Sequence, residues 1–125
     1  MRLDFHNPIH LDGFATNIQI QPFMKRILIA EDNKLILETV AMNLTREGYE
    51  VFKAEDGREC LKIAREQHID LIITDVFMPN INGLEVIATL KEEQIKIPVL
   101  VLSAAGAEEN VLKAFELGAY DFMIK

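Results

Sequence analysis

Three things are scarce in this 125-residue sequence: cysteine, long apolar runs and basic side chains. A lone Cys60 excludes an internal disulfide, which makes a reducing cytoplasm the expected compartment. No stretch approaches the ~18–20 apolar residues of a membrane span, and the N-terminus lacks the basic flank and apolar core of a signal peptide. Lysine and arginine number 13 against 20 aspartates and glutamates, for a formal net charge of −7 and a pI near 4.9. That balance argues against direct, non-specific nucleic-acid binding by this segment and suits a divalent cation, provided the carboxylates converge. Internal repeats and low-complexity runs are also missing.

What is present describes one domain. Half of the residues are hydrophobic and 26% are charged. The chain is long enough to bury roughly two thirds of the surface that its unfolded form exposes, and too apolar to remain disordered. Residues 1–24 read as an N-terminal extension or linker: Asn7-Pro8, Asp12-Gly13 and Thr16-Asn17 are turn signals, and only Ile18-Gln19-Ile20-Gln21 alternates before Pro22 stops it.

From residue 25 to 125 the pattern is regular. Short apolar runs at 27–30, 49–54, 71–74, 98–102 and 120–124 predict five strands. Between them, Leu37, Val40, Ala41 and Leu44 follow helical spacing and Gly48 supplies a stop. Asp56 and Glu59 make a capping-box-like start for a second helix, with Cys60, Leu61 and Ala64 facing inward. Asn82 and Glu85 cap a third helix carrying Val86, Ile87 and Leu90; Val111, Leu112 and Phe115 mark a fourth, ending at Gly118. Strands joined by helical crossovers form βαβ units, so the fold class is α/β, a doubly wound parallel sheet.

In such sheets ligands bind beyond the carboxyl ends of the strands. Those ends hold Glu31 and Asp32, Asp75, Ser103 and Lys125. Three neighbouring carboxylates repel one another unless a hard, oxygen-seeking cation such as Mg²⁺ sits among them. A carboxylate to attack, a metal and a lysine to neutralise oxygens, and a hydroxyl to hydrogen-bond the product make a phosphoryl site. Each residue also has a plainer use: Asp32-Asn33 can cap the first helix, Ser103 can belong to a turn, Phe122 to the core, and Lys125 to a solvated end. Cys60 reads as a small buried hydrophobe, His68 as a partner of a helix C-terminus, and Gly83 as a residue needed for backbone conformation. His6 and His10 are separated by Pro8, which spoils a helical metal pair.

Taken together, Ile27–Asn33, Leu71–Pro79 with Asn82-Gly83, Val99–Ala104 and Gly118–Lys125 resemble the receiver domain of two-component response regulators, in that family's order and spacing over residues 25–125. The resemblance implies a flavodoxin-like strand order 2-1-3-4-5. It implies that Asp75 takes a phosphoryl group from a sensor histidine kinase or phosphotransfer protein. It further implies Mg²⁺ held by Asp32, Asp75 and the backbone carbonyl of Phe77, with Glu31 acting through water. Lys125 matches the lysine that meets the phosphoryl oxygens, Ser103 and Phe122 the switch pair, and Ala104 the small residue that leaves access. The module is then a phosphoacceptor that assists its own phosphorylation and dephosphorylation rather than a turnover enzyme.

Glu31-Asp32 stands where the family more often has two aspartates. Three other functions compete. An aspartate-nucleophile phosphatase needs a second acid two residues after the nucleophile, where Phe77 stands. A flavin or nucleotide binder needs a Gly- or Ser/Thr-rich loop in place of Glu31-Asp32-Asn33-Lys34. A phosphorylation-independent interaction module would not need the intact acids and lysine. The sequence stops at Lys125, so the family's fifth helix is expected to be absent. The flank of the first helix and apolar positions of the first and third strands would then be uncovered, favouring a homo-oligomer or swapped dimer.

Overall fold

The computed structural model describes residues 24–103 and 108–124. Five strands and four helices alternate: β1 (Arg26–Ala30), α1 (Lys34–Arg46), β2 (Glu50–Ala54), α2 (Gly57–Glu66), β3 (Leu71–Asp75), α3 (Gly83–Glu92), β4 (Val99–Ser103), α4 (Glu108–Leu117) and β5 (Asp121–Ile124). The strands form one parallel sheet in the order β2-β1-β3-β4-β5. The fold is therefore the flavodoxin-like α/β architecture that the pattern and the family resemblance led us to expect.

Both faces of the sheet are covered, which is why the central strands read as continuous apolar runs. On one face Leu28, Ala30, Ile72, Val99 and Val101 pack with Cys60 and Leu61 of α2, Val86, Ile87 and Leu90 of α3, and Ala114 of α4. On the other, Ile27, Ile29, Ile73 and Leu102 pack with Leu37 and Ala41 of α1. The expected uncovered patch on β1 and β3 does not occur: Ile27, Ile29 and Ile73 are at most 5% exposed. Half-buried Val40, Leu44, Val51, Leu71 and Leu100 pack around that cluster. Among the described residues the exposed large apolar side chains are Leu35 and Met42 of α1, Phe77 after β3, Leu112 and Phe115 of α4, and Tyr120 and Met123 at β5.

Helix ends follow from local chemistry. Asn33, not Asp32, caps α1, its side chain accepting from the N–H of Ile36. Gly48, at φ 99°, ends α1 in a Schellman turn, with Gly48 N–H to the Thr45 carbonyl and Tyr49 N–H to that of Leu44. Tyr49 is spent in that turn, so β2 starts at Glu50, one residue later than its apolar run suggested. Gly118, at φ 113°, closes α4 in the same way. His68 lies beyond the end of α2, with Nε2 3.0 Å from Asp70 Oδ1.

The end of α3 is different. Gln94 takes the left-handed place at φ 59°, with its N–H on the Lys91 carbonyl and that of Ile95 on Leu90. A side chain there is strained and glycine is not, so Gln94→Gly should stabilise the fold by about 0.5–1 kcal/mol in urea unfolding. At α2, Asp56 Oδ1 accepts from Glu59 N–H at 2.8 Å, and that backbone hydrogen bond holds the Asp56 carboxyl below its ordinary value. Asp56→Ala should therefore cost about 1 kcal/mol at pH 7. A lowered folded-state value means that the contribution is full above the unfolded value, 3.8, and lost as pH falls through the folded one. Unfolding curves of the two proteins should accordingly converge below pH 3.8.

Candidate functional site

β1 and β3 are adjacent at the centre of the sheet, with Ala30 opposite Thr74, so the residues that follow Ala30 come out beside Asp75. Glu31 continues the pairing of β1, its N–H donating to the Ala54 carbonyl at 3.0 Å. Its side chain is fully buried, and its Oε2 accepts from the Asn33 N–H at 3.0 Å. Asp75 is 6% exposed, and its Oδ1 accepts from the N–H of Val76 at 2.8 Å. Asp32 is exposed. One oxygen from each of Glu31, Asp32 and Asp75 lies within 4.8 Å of the others.

Carboxylates gathered at this spacing repel one another, and a cation among them would offset that repulsion. A donor set composed only of carboxylate oxygens, one of them open to water, fits a hard divalent ion such as Mg²⁺ and not a soft one. The acidic cluster is therefore of the kind that holds Mg²⁺ in receiver domains.

The other sequence-predicted residues stand as follows. Phe77 lies in the loop that leaves β3, its ring exposed and its backbone two residues past Asp75. Ser103 ends β4 and follows Leu102, the partner of Asp75, so its backbone reaches the same edge. Phe122 lies in β5 opposite Val101. Ala104 and Lys125 fall outside the described residues, as do the side chains of Ser103 and Phe122.

Gly83 has a different reason from the one its sequence position suggested. Its φ is not positive. It lies in the first turn of α3 against the chain of β3, where a Cβ would come 2.1 Å from the Asp75 carbonyl oxygen. The hydrogen bond from Gly83 N–H to the Val76 carbonyl, 2.7 Å, closes the loop there. Asn82 and Glu85 complete the expected capping box with hydrogen bonds of 2.9 and 3.1 Å.

A tie that sequence reasoning missed runs to α2: Asn80 Nδ2 donates to Asp56 Oδ2 at 2.9 Å. The sequence marks Asp56 only as a cap, and no local signal marks its second contact. Cys60 is buried, and burial pushes its thiol up to about 12, so it packs as a hydrophobe and is no nucleophile. A separate groove lined by Ile87, Leu90, Ile95, Ile97 and Leu117 contains none of the clustered acids. Among the described residues, no helix is long and apolar enough to cross a membrane.

Residues 27–125 match the sequence model of the response regulator receiver domain. The chain is 40% identical over 101 residues to the alkaline phosphatase synthesis transcriptional regulatory protein PhoP of Bacillus subtilis, covering 81% of this chain and 42% of that one. It is 40% identical over 99 residues to response regulator RR06 of Streptococcus pneumoniae, covering 79% and 45%. It thus spans less than half the length of these curated relatives. Among solved structures it superposes on the receiver domain of the Francisella response regulator 1452 with a TM-score of 0.76 at 29% identity, covering 81% and 84% of the two chains.

Proposed function

The chain belongs to the response regulator receiver family, and on that premise we propose that Asp75 is its phosphoacceptor, charged by a sensor histidine kinase or a phosphotransfer protein. The observation that carries this reading is the burial of Asp75 at the end of a central strand, with Glu31 and Asp32 beside it. A nucleophilic carboxylate held by one backbone N–H has a fixed direction of attack and little conformational freedom to lose. In the proposed step an Asp75 oxygen forms a bond to the phosphorus of a phosphohistidine as the P–N bond breaks. The imidazole leaves with a proton, and an acyl phosphate remains on Asp75.

Asp32, Asp75 and the Phe77 carbonyl would hold Mg²⁺ directly, and Glu31 through water. Bound there, Mg²⁺ would supply neutralisation of charge on the phosphoryl oxygens. Lys125 would pair with those oxygens, Ala104 would leave room for them, and the Ser103 hydroxyl would hydrogen-bond the product while Phe122 turns inward. The protein is then a signalling switch residing in the cytoplasm, with residues 25–125 as the receiver and 1–24 as an extension. Phe77, in place of a second acid, is what separates this reading from an aspartate-nucleophile phosphatase.

Incubation with acetyl phosphate and Mg²⁺ followed by intact mass measurement tests the assignment. The wild-type protein should gain one phosphoryl adduct and Asp75→Asn should gain none. An unchanged adduct yield in the variant would place the nucleophile elsewhere.

A further inference from the structure

The loop between β3 and α3, residues 76–82, is fixed at more than its two ends. Its exit is closed by the hydrogen bond from Gly83 to Val76. Its middle is held from outside by the first turn of α2, an element that contributes no residue to the acid cluster. Two independent contacts do this. The backbone at Ile81 lies so close to Gly57 that a Cβ there would come 1.9 Å from the Ile81 carbonyl oxygen. Beside it, Asn80 holds a left-handed backbone, φ 67°, and donates its amide to Asp56 Oδ2. The other oxygen of Asp56 caps α2. One carboxylate therefore joins the start of α2 to the middle of the loop.

The geometry points to Asp56, Gly57 and Asn80 as positioning residues for the cation: the start of α2 sets where the Phe77 carbonyl stands relative to Asp32 and Asp75. This rests on the phosphoacceptor reading, in which that carbonyl is a metal ligand. Mg²⁺ demands near-ideal octahedral geometry at about 2.0–2.1 Å, so a ligand displaced by a few tenths of an ångström is poorly used. A carbonyl on a loop is only as well placed as the loop, and here the restraint comes from a different βα unit.

The test is Mg²⁺ affinity by calorimetry on the whole chain, at a temperature where circular dichroism shows every variant folded. Asn80→Gly preserves the formal charge and tolerates the positive φ while removing the hydrogen bond to Asp56. It should bind Mg²⁺ about ten-fold more weakly than wild type, as the loss of an outer-shell support does elsewhere. Gly57→Ala, also neutral, should weaken binding in the same direction through the other contact. Gln94→Gly adds the same flexibility at the far end of α3 and should leave affinity within about two-fold of wild type, separating positioning from general loosening. An Asn80→Gly affinity within about two-fold of wild type would overturn the inference. Absence of an adduct on wild-type Asp75 is a different result: it would overturn the phosphoacceptor reading, and this inference with it.

Discussion

Glu31 and Asp75 are carboxylates taken almost wholly out of water, and with Asp32 they bring oxygens to within 4.8 Å of one another. Two unit charges at such a spacing repel by about 3–4 kcal/mol at an effective dielectric of about 20, before any counter-charge is added. Stability alone gives no reason to gather like charges in this way. Backbone N–H groups of Asn33 and Val76 orient two of the carboxylates without neutralising them. A divalent cation, of the kind that such clusters hold in receiver domains, would offset the repulsion. The rest of the architecture is what holds the acids in place against their own field.

That holding is done mostly by backbone. The parallel pairing of β1 with β3 fixes Asp75 beside the residues that follow Ala30. At Gly83 the chain of α3 comes so near to the Asp75 carbonyl that a methyl group would not fit, and at Gly57 the start of α2 does the same against Ile81. Both glycines are required for close approach, not for φ. Close approaches of this kind make the loop after β3 part of the packed structure, which suits a loop proposed to bear a metal ligand.

The apolar runs and helical spacing carried the fold in the sequence, because period and burial are written in the residues themselves. Gly48 and Gly118 marked their helix ends for the same reason. The end of α3 was not legible, since Gln94 occupies a place that glycine normally signals. Asp32-Asn33 could be read as the cap of the first helix, and it is the Asn33 side chain on Ile36 N–H that fills that place. Exposure of Ile27, Ile29 and Ile73 was expected and they are buried, because exposure depends on the whole arrangement around a side chain and not on its own strand. The acid cluster was visible as residue types at strand ends. The tie between Asn80 and Asp56 spans 24 positions and has no signature in either segment.

The central proposal is that a divalent cation binds among the crowded carboxylates that follow β1 and end β3. Thermal unfolding of wild type and Asp32→Asn, each in chelator and in saturating Mg²⁺ at neutral pH, tests it most directly. Mg²⁺ should raise the wild-type Tm in a concentration-dependent way. The variant, with one charge fewer in the cluster, should melt higher than wild type in chelator and gain much less from Mg²⁺. A variant that melts no higher in chelator and gains the full wild-type shift would contradict the account.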